Sequence, residues 1–321
     1  MLTLLCTSCA TVRNSPRVPV VPATAPANQS TLTLQNNLVQ LIVDPRIGRI
    51  VYFGRLGGPN LLWIDADAPA TAAREKGALA QWMNWGGDKL WWGPQALWVS
   101  QIGRRWPPDD AFDGQPWNVL SHDRNQVVIE SRESNNVGGR FRRTITLHPA
   151  EPIVDFDNVF LRTQTSAIPI QMWSVTQVVT PAQCLLDMLP SAPAGPFPIV
   201  AMGPPLNPPP QVLEAGTMHW MQFSPAEQPE TKIGTFGNWI AAISGDAFVQ
   251  ISPYQQDKPY LERSSIQAYK NPKFVEIETV SPLFFPRVGE MVHHSVRWCL
   301  LKNADTPAAT VQAIGRLSKP D

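Results

Sequence analysis

The sequence predicts an all-β protein, built as a large antiparallel β-sandwich with few short helices. From Thr31 onward, apolar and polar residues alternate with a period of two over many short segments, which is typical of half-buried strands. The chain contains 33 prolines in 321 residues, and proline interrupts helices while favouring turns between strands. A chain of this length can bury one large core, and all-β domains of roughly 250 residues are common.

The alternation predicts the strands in chain order. The first are Leu32–Leu34, Leu38–Val43 and Arg49–Phe53, the last two joined by a turn at Asp44–Gly48. A three-stranded meander follows, formed by Gln126–Glu130, Arg140–Leu147 and Ile153–Leu161. Six later strands are predicted at Ile170–Val179, Met218–Phe223, Trp239–Ile243, Phe248–Ile251, Phe274–Val280 and Val292–Leu301.

Only two helices are predicted, Ala72–Gln81 and a short terminal helix at Ala308–Leu317. Pro190–Pro210 is rich in proline, which supplies no backbone donor to a sheet, so this segment is predicted to be a surface loop or an edge-covering flap. No internal repeat or linker divides the strand-rich part of the sequence into two domains. The predicted domains are therefore a signal remnant and tether at 1–30, the sandwich at 31–303, and a C-terminal tail at 304–321.

Composition excludes several classes of partner and cofactor. The 26 basic and 26 acidic residues give a formal net charge of zero, so binding to nucleic acid has no electrostatic support. No apolar run reaches the roughly 18 residues of a membrane-spanning helix. Zinc-ligand spacings and phosphate-binding glycine loops are absent from the sequence, and no cofactor is expected. Asp109, Asp110 and Asp113 lie close together, either as turn residues or as ligands of a hard cation, but they lack calcium-loop spacing.

The first residues resemble the end of a bacterial lipoprotein signal. Small residues precede Cys9, which would be lipidated and become the new first residue, and residues 11–30 would form a tether. We therefore expect a cell-envelope protein, periplasmic or in the outer membrane, whose membrane contact is the lipid alone. The alternative is a cytoplasmic protein with a disordered N-terminus. Cys184 and Cys299 make a disulfide possible, although the apolar surroundings of Cys299 favour a buried thiol.

Seven of the twelve tryptophans lie between Trp82 and Trp117. They fall in and around the strings Trp85-Gly-Gly-Asp88-Lys89-Leu-Trp91-Trp92-Gly-Pro and Trp106-Pro-Pro-Asp109-Asp110-Ala-Phe-Asp113-Gly. Flat apolar faces beside carboxylates and an ammonium suit a polyhydroxylated ligand, whose C–H groups stack on rings while its hydroxyls form directed hydrogen bonds. The run therefore predicts a carbohydrate-contacting surface. The alternative is a structural plug closed by Gly and Pro turns.

In the predicted strand Phe274–Val280, alternation places Glu276 and Glu278 on one face, about 7 Å apart along the strand. Val275 and Ile277 face the other way, into a core. Two carboxylates on one strand face are either simply exposed or the floor of a sugar site. In a sugar site, one carboxylate would accept a proton or bind hydroxyls.

The connector after this strand is typical of a hairpin, so Val292–Leu301 is expected to pair with it. His293 and Arg297 share one face of that strand. Either would then lie opposite the glutamates, where a positive charge holds carboxylates ionised. The pair His293 and His294 at the strand start is also compatible with simple surface exposure.

These motifs resemble an uncharacterised bacterial family, a domain of unknown function that is itself similar to galactose mutarotase-like proteins. The resemblance rests on the two tryptophan strings and on the C-terminal motifs Glu276-x-Glu-x-x-x-Pro282, Gly289-Glu290 and Arg297-Trp298-x-Leu300. It covers about residues 31–303. It implies a supersandwich, in which two large twisted antiparallel sheets carry a sugar-sized groove on one concave face.

The resemblance also implies a chemistry. Aldose epimerases resemble this layout and use a histidine as acid and a glutamate as base. Their histidine follows an aromatic residue at the start of a central strand. The similar stretch here, Gln171-Met-Trp173-Ser174-Val-Thr176-Gln177, contains no histidine, whereas Glu276 or Glu278 is placed to be the base.

The leading hypothesis is a carbohydrate-binding protein whose ligand is held by a Trp-rich loop and the Glu-x-Glu strand. One alternative is an aldose or hexose epimerase that uses Glu276 or Glu278 as general base, with Asp88 or Lys89 as a substitute acid. A second alternative is an envelope scaffold with buried tryptophans. The expected partner is a carbohydrate, and its predicted contacts are Trp85, Asp88, Lys89, Trp91, Trp92, Asp109, Gln177 and Arg297.

Overall fold

The computed structural model of the chain describes residues 31–68, 82–190 and 200–317. Within these residues the protein is a sandwich of two antiparallel sheets, which confirms the predicted fold class. The predicted tether at 1–30, with Cys9, and the predicted helix Ala72–Gln81 lie outside them. No helix in the described part of the chain is long and apolar enough to cross a membrane.

The strands follow the alternating segments of the sequence, with additional short strands between them. In chain order they are β1 (Leu32–Gln35), β2 (Val39–Asp44), β3 (Arg49–Arg55), β4 (Asp88–Gly93), β5 (Asn118–His122), β6 (Gln126–Glu130), β7 (Gly139–Leu147), β8 (Ile153–Arg162), β9 (Gln171–Val178), β10 (Gln183–Asp187), β11 (Val200–Met202), β12 (Gln211–Ala215), β13 (Met218–Phe223), β14 (Thr231–Thr235), β15 (Trp239–Ser244), β16 (Asp246–Ile251), β17 (Ile266–Lys270), β18 (Val275–Val280) and β19 (Met291–Leu301). The α-helices are α1 (Trp98–Ile102) and the predicted terminal helix, α2 (Pro307–Leu317).

The two sheets have different strand orders. The nine-stranded sheet runs β1-β2-β3-β4-β9-β18-β17-β14-β11, and the ten-stranded sheet runs β12-β13-β10-β15-β16-β19-β8-β7-β6-β5. The proline-rich segment Pro190–Pro210 was expected to be a surface loop or an edge-covering flap, but its described part contributes the short strand β11. This strand lies at a sheet edge, where a proline-rich neighbourhood is tolerated because one side needs no ladder donors.

The predicted meander is present as β6, β7 and β8, which pair in sequence in the ten-stranded sheet. Residues of β7 alternate between buried and partly exposed along its whole length, so Phe141, Ile145 and Leu147 enter the core. Arg143 occupies an inward position of the same series and is buried. A charged side chain at an inward-facing position of a strand requires an oppositely charged or hydrogen-bonding partner inside the sandwich.

The predicted hairpin between β18 and β19 is wrong. β18 pairs with β9 and β17 in the nine-stranded sheet, whereas β19 pairs with β8 and β16 in the other sheet. Residues 281–290 therefore connect the nine-stranded sheet to the ten-stranded sheet. The inward face of β19 explains the placement, because Trp298 packs between the sheets with ring-centroid distances of 5.2, 4.6 and 4.9 Å to Phe53, Phe156 and Phe248.

The tryptophan run was expected to form a loop, but its centre is β4, a strand that is buried throughout. β4 pairs with β9 along its whole length. Two glycines precede it with φ of +84° at Gly86 and +70° at Gly87, and a Cβ at either would lie 2.1 Å from a backbone oxygen. Glycine is therefore required there for close strand approach. The other strands not predicted, β5, β10, β12, β14 and β17, are short and weakly alternating.

Buried polar contacts join the sheets across the core. Asp88 of β4 forms a 2.7 Å ion pair with Arg143 of β7, and both side chains are inaccessible to solvent. Thr176 of β9 donates its hydroxyl to Asp88 at 2.8 Å. Arg143 also donates to Asn158 at 2.9 Å. The inward charge is thus paired and hydrogen-bonded, as buried charges must be.

Replacing one partner of this pair should destabilise the fold strongly. Arg143→Met leaves the Asp88 carboxylate buried without its counter-charge, which costs about 3–5 kcal/mol of unfolding free energy. Urea denaturation followed by circular dichroism measures the change. Arg297→Met is the matched control, because the Arg297–Asp155 pair is about half exposed, and exposed pairs contribute roughly 0–1 kcal/mol. Equal losses in the two variants would contradict the role assigned to the Asp88–Arg143 pair.

Candidate functional site

A cavity of about 720 Å³ opens on the face of the nine-stranded sheet that points away from the ten-stranded sheet. Strand register assembles its floor. Glu276 of β18 lies between Gln177 of β9 and Tyr269 of β17, and Trp91 of β4 lies beside Trp173 of β9. The remaining lining residues are Trp82, Asn84, Gln95, Trp106, Gly203, Glu230, Thr231, Lys232, Asn271 and Phe274.

Four indoles form one wall of the cavity. Trp91 contacts Trp173 and Trp106 edge to face, with ring-centroid distances of 5.3 and 5.6 Å, and Trp82 contacts Trp106 at 4.6 Å. Trp82 is held by a 2.8 Å hydrogen bond from its Nε1 to Asp113. Trp91 is only 3% exposed, whereas Trp106 is 45% exposed. The wall is therefore rigid at its base, and the ring of Trp106 faces solvent.

Of the two glutamates of β18, Glu276 is the one that reaches the cavity. Its Oε1 accepts a 2.8 Å hydrogen bond from Gln177 Nε2 and lies 3.5 Å from Lys89 Nζ. The register that aligns Glu276 with Gln177 produces the first contact. Sequence alternation placed Glu276 on the correct face, and the structure adds the amide and the ammonium beside it.

Glu278 lies on the same strand face but is completely buried beneath the cavity floor. Its carboxylate accepts hydrogen bonds from Lys232 Nζ at 2.7 Å and from Trp173 Nε1 at 2.9 Å. The pKa of Glu278 is raised to about 7, chiefly because the group is buried; the charge of Lys232 opposes this shift and that of Glu276 contributes to it. Glu278 therefore anchors Lys232 and Trp173 and does not contact the cavity itself.

Lys89 is a buried cation next to Glu276. Burial lowers the pKa of Lys89 to about 8, although the Glu276 charge opposes this shift. Its Nζ lies 5.0 Å from the centre of the Trp91 ring. The ammonium has no hydrogen-bond partner among the described residues. It can therefore change its protonation near neutral pH more readily than an ordinary lysine.

Two amide oxygens in the cavity are also without partners in the described part of the chain. These are Asn84 Oδ1 and Gln177 Oε1, both shielded from bulk water. Buried acceptors are almost always paired in proteins, so these two oxygens at the cavity can each accept a hydrogen bond from a donor that the described residues do not supply. The cavity thus combines an aromatic wall with hydrogen-bond acceptors.

Several predicted contacts lie away from the cavity. Asp88 points into the core, because neighbouring residues of a strand face opposite sides and Lys89 points out. Trp92 is also inward, with its Nε1 donating to the Pro169 carbonyl at 2.9 Å. Neither side chain reaches a ligand in this cavity, which corrects the expectation for both. Asp88 is also excluded as the substitute acid.

Three other residues predicted to contact the ligand form their contacts outside the cavity. Trp85 is buried with its ring 5.4 Å from the Arg49 guanidinium. Asp109 accepts hydrogen bonds from Ser134 Oγ at 2.5 Å and Asn136 Nδ2 at 2.9 Å. Arg297 pairs with Asp155 on the outer face of the ten-stranded sheet, because β19 does not pair with β18. The expected contact of Arg297 with the glutamates is therefore wrong.

Sequence reasoning missed Lys232, Tyr269 and Trp106 as cavity residues. Lys232 and Tyr269 lie on β14 and β17, two short strands with little apolar alternation. Trp106 was part of the tryptophan run, but its exposure could be known only from the packing. In the described residues, no group of three or more His, Cys, Asp or Glu side chains is arranged to hold a metal ion.

Comparison with known proteins places the chain in a family. A family model described as a domain of unknown function, DUF4380, matches residues 29–256. The chain belongs to this family. The matched range includes β4 and β9 but ends before β18, so Glu276 and Glu278 lie outside it. No curated protein matches the chain in sequence.

Solved structures share the fold of this DUF4380 protein at low sequence identity. A protein from Escherichia coli K12, provisionally named an aldose 1-epimerase, has a TM-score of 0.54 at 13% identity, covering 84% of this chain and 98% of that chain. A provisionally named mutarotase from Salmonella typhimurium has a TM-score of 0.52 at 10% identity, covering 84% and 90%. A galactose mutarotase related enzyme from Lactobacillus acidophilus has a TM-score of 0.50 at 7% identity, covering 85% and 98%. The fold is therefore a galactose mutarotase-like β-sandwich.

None of the five histidines of this DUF4380 protein lines the cavity. His293 is exposed and lies 3.0 Å from Asp157 on the outer face of the ten-stranded sheet. His294 points inward and is buried, with its Nε2 3.1 Å from Thr279 Oγ1 of the opposite sheet. Burial lowers the pKa of His294 to about 4, and the charge of Arg143 lowers it as well. His294 is thus a neutral core residue.

The buried neutral His294 predicts an acid-sensitive fold. Its folded-state pKa of about 4 lies below the ordinary value of 6.5, so the unfolded chain takes up the proton first as pH falls. The free energy of unfolding is therefore unaffected by protonation of His294 above about pH 6.5. It decreases as the pH falls from about 6.5 to 4, by up to ~3 kcal/mol in total. Urea unfolding between pH 4 and 7 measures this slope. His294→Gln should flatten it and the exposed-site control His122→Gln should not; an unchanged slope in His294→Gln contradicts the assignment.

Proposed function

We propose that the protein binds carbohydrate in the cavity over the nine-stranded sheet. The observation that carries the proposal is the juxtaposition of the exposed Trp106 ring with acceptors lacking partners among the described residues, above all Gln177 Oε1. A sugar presents C–H faces for the ring and hydroxyl donors for the oxygens.

The size of the cavity supports this proposal. Ligand sites in proteins usually have volumes of about 300–1,000 Å³, and this cavity has about 720 Å³. Its wall is formed by four indoles, and its floor carries the polar side chains of Gln177, Tyr269 and Glu276. Aromatic surface with placed polar groups is the usual composition of a small-molecule site. Glu276 can accept two further hydrogen bonds, because only one of its oxygens is engaged by Gln177.

The charges of the floor favour an uncharged ligand. Lys89 lies next to Glu276, and Lys232 is paired with Glu278, so these two acidic groups each have a basic neighbour. The other carboxylate that lines the cavity, Glu230, accepts a 2.5 Å hydrogen bond from Tyr269. A charged ligand would have to disrupt one of these buried pairs, which is costly. Neutral sugars meet no such cost.

Removing the exposed indole should weaken sugar binding. Trp106→Ala takes away the stacking surface but leaves the buried indoles in place, so affinity should fall about tenfold, corresponding to roughly 1.4 kcal/mol. Isothermal titration calorimetry with the best ligand from a panel of monosaccharides and oligosaccharides measures this change.

Phe285→Ala is the matched control, since Phe285 is a 67% exposed aromatic residue that does not line the cavity. Its affinity for the same sugar should equal that of the wild type. If no sugar of the panel binds the wild type, or if Trp106→Ala binds as tightly as Phe285→Ala, the proposed function is wrong.

A second candidate function is sugar anomerisation, favoured by one specific observation. A second titratable group, Lys89 Nζ, lies 3.5 Å from the Glu276 carboxylate. In such a reaction Glu276 would remove the proton of the anomeric hydroxyl, and protonated Lys89 would supply a proton to the ring oxygen. Lys89 would take the place of the absent histidine.

This candidate predicts a defined pH profile. Polarimetry of α-glucose and α-galactose should show turnover above the spontaneous rate, falling as pH rises through about 8 because Lys89 loses its proton. Lys89→Met and Glu276→Gln should each lower the rate about 10²–10⁴-fold, the usual contribution of a general acid or base. Wild-type protein that binds sugar without accelerating anomerisation removes this candidate and leaves the binding function intact.

A further inference from the structure

A second cavity of about 560 Å³ adjoins the first on the same sheet face. Gln95 and Lys232 line both cavities, so the two are neighbours that share a boundary. The second cavity extends over β14 and β17, toward the sheet edge, and is covered from the side by α1 and the short 3-10 turn Gln95–Leu97. The two spaces form one elongated groove across the sheet.

The floor of the second cavity includes Gly234, Ser264 and Gln267. Gly234 of β14 pairs with Gln267 of β17. A Cβ at position 234 would lie 2.8 Å from Ser264 Cβ and 3.2 Å from Gln267 Cγ. A side chain there would clash with both residues, so glycine is required for Ser264 and Gln267 to pack this closely against β14.

Gln267 repeats the arrangement of Gln177 in the first cavity. It is 3% exposed, and its amide Nε2 donates to Glu262 Oε2 at 2.8 Å and to Ser264 Oγ at 2.7 Å. Its Oε1 has no hydrogen-bond partner among the described residues. As with Gln177, the nitrogen is fixed by a carboxylate while the buried oxygen is left to accept a donor.

The spacing of the two glutamines exceeds one sugar ring. Gln267 aligns with Glu278, and Gln177 aligns with Glu276, so they are two strands apart and offset by two residues. Strand spacing and rise place their Cα atoms about 12 Å apart. A single ring held by Gln177 therefore leaves Gln267 without a donor, whereas a linked second ring brings hydroxyls to it.

We propose that the groove binds an oligosaccharide of at least two linked sugar units. One unit stacks on Trp106 and hydrogen-bonds Gln177. The next unit lies in the second cavity, hydrogen-bonds Gln267 and packs against Val99, an apolar side chain that is 51% exposed. This inference rests on the proposed function and specifies its ligand class as an uncharged glycan chain.

The proposal is tested by measuring affinity against chain length. The probes are malto-, cello-, manno- and galacto-oligosaccharides of one to four units, titrated calorimetrically into the full chain. In the series that binds, affinity should rise at least about tenfold from one to two units, as expected when a further buried hydrogen bond and apolar contact form.

Variants separate the two cavities. Gln267→Met is close in shape but lacks the acceptor, so it should remove most of the gain from one to two units and leave monosaccharide affinity unchanged. Val99→Ala should act in the same direction, with Val179→Ala as its control, because Val179 is similarly exposed and lines neither cavity. Trp106→Ala should instead weaken all lengths equally.

The outcomes distinguish this inference from the proposed function. Monosaccharide binding with no increase in affinity at two or more units overturns the extended site and retains the sugar site. Loss of monosaccharide affinity in Gln267→Met, in protein with wild-type circular dichroism, also overturns the extended site. Absence of binding at every length overturns both proposals.

Discussion

The buried ion pair between Asp88 and Arg143 determines how the rest of the structure is arranged. It ties β4 of one sheet to β7 of the other, and it fixes which residues of β4 face inward. Because neighbouring residues of a strand point to opposite sides, an inward Asp88 forces Lys89 and Trp91 outward. Trp91 then lines the cavity and Lys89 lies beside Glu276. A slip of one residue would expose Asp88 and bury Lys89 beside Arg143. Two positive charges buried side by side without a counter-charge would make that register prohibitively unstable.

The tryptophan run serves two purposes that its sequence does not distinguish. Trp85, Trp92, Trp98 and Trp117 are buried, and pack the interior as the structural alternative expected. Trp82, Trp91 and Trp106 line the cavity, as the ligand-binding hypothesis expected. Whether a tryptophan is buried or lines the cavity depends on which side of its strand it faces and on how its loop packs. Neither hypothesis therefore describes the whole run. Ring contacts of Trp98 with Trp91 and Trp106, at centroid distances of 6.2 and 6.1 Å, join the two groups.

Two lysine–glutamate neighbours lie at and beneath the cavity floor, each with an aromatic contact. Lys89 lies beside Glu276 and Trp91, and Lys232 lies beside Glu278 and Trp173. Alternation in β18 was sufficient to predict that the two glutamates share a face. It could not predict that one is buried and the other reaches the cavity, because depth depends on the side chains of β9, β14 and β17. These neighbours come from distant segments, and two of the strands were too short to predict.

The sequence by itself determined the β-sandwich, the meander, the terminal helix and the shared face of Glu276 and Glu278, because strand alternation and turn residues are local properties. Only the tertiary structure decided which strands are neighbours. It separated Arg297 from the glutamates by placing β19 in the other sheet, and it brought Lys232 and Gln267 to the groove. The physical reason is that strand pairing depends on burying the largest apolar faces, here that of Trp298 between the sheets, and this energy is summed over the whole core.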